Sequence, residues 1–220
     1  MSTITREAQE ALKHLGLYTG EVDGLYGPKS REALVKFQIM HGLPATGEMS
    51  DETYRELLPQ PIKGRSEWPL EKDARAFYGE PGTRQVKVAV PWTLRLAWEP
   101  QTTIKAISCH ELVAGSLERV LGNVRREYTD AQLESIGANL YGGCLNVRPM
   151  RGGTRMSMHS WGIAIDWDPA RNRLKMDHTQ ARLAQGDCWD WWDCWEAEGW
   201  VSLGRERDYD WMHVQAARLS

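Results

Sequence analysis

The run Ser157-Met158-His159-Ser160-Trp161-Gly162-Ile163-Ala164-Ile165-Asp166 and the later Asp210-Trp211-Met212-His213 hold the residues of this 220-residue chain best suited to chemistry. Two imidazoles and a carboxylate, His159, Asp166 and His213, form a donor set of the kind a catalytic zinc takes: three protein groups with a fourth position left for water. Asp210 stands three residues before the last of them, near enough to exchange a proton with that water, and is the candidate general acid/base. Neither His-x6-Asp nor Asp-x-x-His carries weight alone. The combination does, set among Ser157, Gly162 and Ala164, with the two small residues where a loop must turn and pack closely. His14, His41, His110 and His178 have no such company and are expected to be ordinary histidines.

These groups need elements to hold them. Ile163, Ile165 and Trp167 alternate with Ala164 and Asp166, which predicts a strand leaving the candidate metal loop. Ser108 to Tyr128 reads as a helix, with Leu112, Val113, Leu117, Val120, Leu121 and Val124 recurring at three and four. Arg84 to Trp98 reads as mixed strand and loop, and Leu145 to Met150 as a further strand. A helix followed by strands and long loops predicts an α+β domain. Eight of the eleven tryptophans lie between Trp161 and Trp211. Most are expected in the core or the site wall, the alternative being an exposed platform for sugar or peptide.

The first sixty residues have a different texture. Ala8, Ala11, Leu12 and Leu15 fall at helical spacing before Gly16, a helix C-cap signal. After a turn-rich loop, Ser30 is expected to cap a second helix carrying Ala33, Leu34 and Phe37. Ser50 or Asp51 opens a third, with Tyr54, Leu57 and Leu58 inward. This gives a small three-helix bundle, and Pro59, Pro61, Gly64 and Pro69 mark a linker. The resulting boundaries are 1–60 for the first domain, 61–80 for the linker and the approach to the second domain, and 81–220 for the second.

Both domains resemble known families. Gln9, Leu12, Leu15-Gly16, Tyr18, Gly20, Val22-Asp23-Gly24, Tyr26-Gly27, Ala33-Leu34, Phe37-Gln38, Gly42-Leu43, Thr46-Gly47 and Thr53 resemble the peptidoglycan-binding module of cell-wall hydrolases across residues 4–58. The Ser-x-His-x-x-Gly-x-Ala-x-Asp run and the later acid-x-x-His resemble the zinc peptidases that include D-alanyl-D-alanine carboxypeptidases and phage L-alanyl-D-glutamate endopeptidases. That likeness extends from Cys109-His110 through Tyr141-Gly142-Gly143-Cys144 to the end of the chain. It implies an α+β metallopeptidase fold, one Zn2+ held by His159, Asp166 and His213, and Asp210 as acid/base where many members have Glu. It also implies an arginine that holds a substrate carbonyl or carboxylate, for which Arg148 and Arg151 are the candidates. Ser157 is a further candidate substrate contact.

Composition narrows the function classes. A formal net charge of −3 supplies no basic field for nucleic acid, and 41% apolar with 26% charged residues suits a soluble globular chain. No apolar run is long enough to insert in a membrane, and the amino terminus lacks the apolar core of a secretory signal. The four cysteines form no Cys-x-x-Cys and are expected to be free buried thiols. The expectation is a monomeric, phage-type endolysin. It would be made in the host cytoplasm and act on the wall after release, its partner being peptidoglycan. Its reaction would be cleavage of a stem-peptide amide, L-alanyl-D-glutamate first and a D-alanyl-D-alanine carboxypeptidase reaction second. Two other classes remain: a glycan-cleaving enzyme using Glu196 and Glu198, and a non-catalytic wall-binding zinc protein.

Overall fold

A computed structural model describes residues 6–57, 68–150 and 152–220 of the chain. It divides into two compact units, Met1–Ile62 and Lys63–Ser220. Pro59, Pro61, Gly64 and the side chains of His14, Tyr54 and Leu58 lie outside the described residues.

The first unit contains α1 (Arg6–His14), α2 (Pro28–Met40) and α3 (Asp51–Leu57). Its core is Ala8, Leu12, Tyr18, Ala33, Leu34, Phe37 and Leu57. The start of α2 corrects the expected cap. Gly27 is the N-cap and Pro28 the first helical residue, where its missing N–H and fixed φ suit the first turn. Ser30 is instead buried and accepts from Gln9 Nε2 at 3.1 Å. Ser50 does cap α3, its Oγ accepting the Thr53 N–H at 3.1 Å.

The second unit is α+β. Its elements are α4 (Ala74–Tyr78), β1 (Gln85–Leu96), β2 (Glu99–His110), α5 (Glu111–Glu127), α6 (Asp130–Ile136), β3 (Leu140–Gly143), β4 (Ala164–Trp167), α7 (Trp189–Glu196), β5 (Val201–Ser202), α8 (Leu203–Arg207) and β6 (His213–Gln215). The sheet order is β2-β1-β3-β4-β6-β5, antiparallel except for the parallel β1–β3 pair. Residues ahead of position 81 already belong to this unit: Trp68, Ala74 and Tyr78 are in its core, and the Tyr78 hydroxyl donates to Ala216 O at 2.7 Å.

Two expectations need correction here. The helix begins at Glu111, because Ser108 and Cys109 belong to β2, paired with Lys87 and Val86. His110 is its N-cap, Nδ1 accepting the Leu112 N–H at 3.2 Å while the other ring nitrogen meets Tyr78 O at 2.9 Å. Leu112 faces outward, and Val113, Leu117, Val120, Leu121 and Val124 carry the buried face. Leu145 to Met150 forms no extended strand; Pro149 makes only an isolated bridge to Met156.

Most of the tryptophans are core, Trp98 being exposed and Trp189 half-buried. Trp167, Trp191, Trp192, Trp195 and Trp200 are fully buried, and Trp167–Trp191 and Trp195–Trp200 meet edge to face with centroids 5.1 Å apart. Such packing buries much apolar area and sets a rigid wall behind β4. The four cysteines are free and buried.

Candidate metal centre

Each candidate donor is placed by a short, well-specified piece of chain. His159 sits in the 3-10 turn Met158–Trp161, which Gly162 ends at φ 68, a left-handed conformation that a side chain resists. That reversal feeds β4, where Ile165 and Trp167 face the core and Asp166 takes the opposite face. Asp166 pairs directly with His213 across the antiparallel β4–β6 ladder. The His-x6-Asp spacing is therefore one turn, one reversal and half a strand. Behind Asp166 the backbone of Gly142 comes so close that a Cβ there would stand 2.9 Å from the Asp166 Cβ and carbonyl oxygen.

The donor atoms converge. His159 Nε2 lies 3.2 Å from Asp166 Oδ1 and 3.2 Å from His213 Nδ1, and His213 Nδ1 lies 3.0 Å from Asp166 Oδ1. A tetrahedral zinc with bonds of about 2.0–2.1 Å sets its donors ~3.3 Å apart. Among the described residues no other group of His, Cys, Asp and Glu converges in this way.

The outer faces of both rings decide what points inward. His159 Nδ1 meets Cys144 O at 2.8 Å, and a carbonyl can only accept, so the proton is on Nδ1 and the Nε2 lone pair faces the centre. His213 Nε2 meets Gln215 Oε1 at 3.0 Å, while the Gln215 amide nitrogen donates to Glu71 and to Ala217 O. Its proton is therefore on Nε2, and Nδ1 presents a lone pair. Two imidazole lone pairs and a carboxylate thus face one another with no donor between them, an arrangement that calls for a cation or a proton.

Electrostatics agree. Burial pushes the Asp166 carboxyl up, but the His159 and His213 rings beside it hold it well below the usual carboxylate range. Burial pulls His213 down, and the adjoining Asp166 carboxylate overrides this, raising it to about 9 with a contribution from Asp210. The Asp166 side chain keeps 22% exposure against 7% and 9% for the imidazoles, so the centre opens on the carboxylate side.

Asp210 lies outside the three-donor group but beside it. It is buried at φ 55, a left-handed conformation Asp adopts more readily than most residues. Its carbonyl accepts the His213 N–H at 2.9 Å, and its own N–H donates to Leu174 O at 3.0 Å. The turn is braced by Asp208, which accepts from Trp211 Nε1 at 3.1 Å and from the His178 ring at 2.7 Å.

The arginine candidates fare differently. The Arg148 main chain is fastened to the turn that carries His159: its N–H donates to Ser160 Oγ at 3.1 Å, and its carbonyl accepts from Ser160 Oγ at 2.9 Å and from the Ser157 N–H at 3.1 Å. Its guanidinium donates to Pro149 O at 3.1 Å and, among the described residues, makes no hydrogen bond to the three donors. Arg151 lies outside the described residues. Ser157 is buried two residues before His159, at the N-cap of the same turn.

The sequence reading missed Ser160, Gln215 and Glu71. Gln215 had a signal, since residues two apart on a strand share a face and it follows His213 by two. Ser160 adjoins His159 and shows its role only once Asn146–Arg148 is seen to fold onto it. Glu71 had none.

Comparison with known proteins adds evidence for one part of the chain. A family described as "Putative peptidoglycan binding domain" matches residues 2–57. The "N-acetylmuramoyl-L-alanine amidase CwlL" of Bacillus licheniformis is 41% identical over 61 residues, 25% of this chain and 17% of that protein. The "Putative OxPP cycle protein OpcA" of Synechococcus elongatus is 45% identical over 51 residues, 23% of this chain and 12% of that protein. The protein of the same name from Nostoc punctiforme is 41% identical over 59 residues, 27% of this chain and 13% of that protein. The chain thus spans less than a fifth of the length of these relatives. No solved structure matches.

Proposed function

We propose that this chain is a modular peptidoglycan hydrolase of the endolysin type: the first unit holds the wall polymer and the second is a zinc peptidase cutting the L-alanyl-D-glutamate amide of the stem peptide. The observation that carries the reading is the convergence of His159 Nε2, Asp166 Oδ1 and His213 Nδ1 at 3.0–3.2 Å, with both outer ring nitrogens tied to acceptors. The family match over 2–57 and the likeness to a wall amidase support the wall as substrate. The relatives also include proteins whose names concern no wall, so the catalytic reading rests on the second unit.

His159, Asp166 and His213 would hold the ion, which when bound supplies Lewis acidity and an acidified water. The remaining work belongs to the chain. Asp210, fixed by its turn, would accept the proton of the attacking water and return it to the departing amine nitrogen. Arg148, its backbone locked to Ser160, would steady a substrate carboxylate with its fork of donors. Binding to the polymer through the first unit would raise the local concentration of immobile substrate, so weak affinity suffices. The chain would act as a monomer on the wall, after release from the cytoplasm in which it is made.

Glu196 and Glu198 do not favour a glycosidase. Glu196 bonds Arg205 at 3.1 Å, and Glu198 is held by Arg119 at 2.7 and 2.8 Å and by Ser116 at 3.0 Å. The test is mass spectrometry of muropeptides digested with and without chelator, followed by zinc. A new amino-terminal D-glutamate, lost with chelator and restored by zinc, is expected. Free D-alanine would make the enzyme a carboxypeptidase, and a freed L-alanine amino terminus an amidase. No zinc-dependent product would leave a wall-binding protein without turnover.

A further inference from the structure

We infer that Glu71, 144 residues from Gln215 in sequence, is a positioning residue that sets the state of His213 through Gln215. The inference rests on the metal reading above and assigns it a remote part.

The chain of contacts runs in one direction. Glu71 Oε1 accepts from Gln215 Nε2 at 2.9 Å, and Gln215 Oε1 faces His213 Nε2 at 3.0 Å. A carboxylate can only accept, so it fixes which end of the Gln215 amide turns toward it. The opposite end, an oxygen, then faces His213, whose Nε2 must carry the proton. The Nδ1 lone pair is thereby committed to the centre. Ala217 O, which accepts from the same amide nitrogen at 3.0 Å, acts in the same sense but without charge. A charge-assisted bond is about twice as strong as a neutral one, so Glu71 is the firmer of the two anchors.

The placement is not casual. Glu71 opens a 3-10 turn whose backbone is tied to the extension of β6: its N–H donates to Arg218 O at 2.9 Å, and Leu70 bridges Arg218. Gln215 is buried, and both ends of its amide are held by protein groups. Glu71 also lines a cavity of about 320 Å³ with Lys72, Arg75, Arg155, Met158 and Trp161. Three cations, Lys72, Arg75 and Arg155, line the same cavity. A carboxylate at the far end of a metal-bound imidazole is a recognised way to orient the ring and raise its basicity, and here an amide is inserted between them.

The test uses the full chain and zinc itself, with affinity read by competition against a chromophoric chelator and folding by thermal melting. The 15N signal of the His213 Nε2–H in the zinc-loaded protein gives a second readout, independent of turnover. E71A is expected to weaken zinc binding about tenfold, within the range seen for outer partners of metal-bound histidines. The E71Q/Q215E double variant moves the carboxylate one residue inward, where it accepts from the His213 Nε2–H and from the amide placed at position 71, at the cost of the bond to Ala217 O. It is expected to bind within threefold of wild type, which a merely structural role for Glu71 would not produce. A folded E71A that binds zinc within twofold of wild type, with an unchanged His213 signal, overturns the inference alone. So does a double variant as weak as E71A. A wild type that binds no zinc overturns the metal reading and this inference together.

Discussion

The two units bury polar side chains to opposite ends. In the first, two helical glutamines perform the same operation twice. Gln9 Oε1 accepts the Gly24 N–H at 2.6 Å while its Nε2 donates to Leu25 O at 3.0 Å. Gln38 Oε1 accepts the Gly47 N–H at 2.8 Å while its Nε2 donates to Glu48 O at 2.9 Å. Each amide clamps a glycine N–H and the next carbonyl, so a turn is nailed to a helix. In the second unit, three acceptors face one another across the centre, and the donors lie on the outer side. A closed network yields stability and a defined loop. One with its acceptors turned inward yields affinity for something positive.

The sharpest way to break the contrast is to remove an inward acceptor. His159→Ala or Asp166→Ala should abolish tight zinc binding and lower turnover by at least ~10³, measured by chelator competition and muropeptide release. Persistent zinc-dependent turnover would refute the assignment. Asp210→Asn should lower kcat by roughly 10²–10⁴ with zinc stoichiometry unchanged, the usual share of a general acid/base. Loss of metal along with activity would instead make it a ligand.

Breaking a closed network should look different. Gln38→Leu strands the Gly47 N–H and the Glu48 carbonyl, and should destabilise the first unit by about 1–3 kcal/mol for each group left unpaired. Wall binding should fall while turnover of a small soluble muropeptide stays level; a matching fall in both would deny the units their independence.

The smallest effect concerns pH. In the metal-free protein His213, raised from 6.5 to about 9, contributes stability that is present below pH 6.5 and is lost as pH rises through 9. Metal must displace that proton, so its affinity should rise over the same window. Melting scans with and without zinc should diverge between pH 6.5 and 9. Parallel curves would mean that zinc does not compete at His213.

Legibility in the sequence followed the kind of signal. The convergence of His159, Asp166 and His213 could be read because few residue types make such a donor set, and β4 because its two faces differ. β2 escaped notice because its first three residues are exposed and the alternate positions that follow are only half-buried, which leaves a weak apolar signal. The start of α2 was misplaced because proline's missing N–H competes with a serine hydroxyl as a start signal, and here the backbone constraint wins. Gly142 could be seen as a residue but not as a necessity, since its role depends on a backbone brought beside it by sheet pairing. Glu71 lies still further from any local pattern.

Asp166 and His213 are 47 residues apart, and the excursion between them contains α7 and most of the tryptophan cluster. A cation shared by the two closes that excursion into a ring, as a covalent cross-link of the same span would, and cuts the freedom of the unfolded chain. The reagent would then also be a staple. Under the proposed reading the chelated protein should lose durability, with amide exchange in α7 quickening far from any bond to the metal.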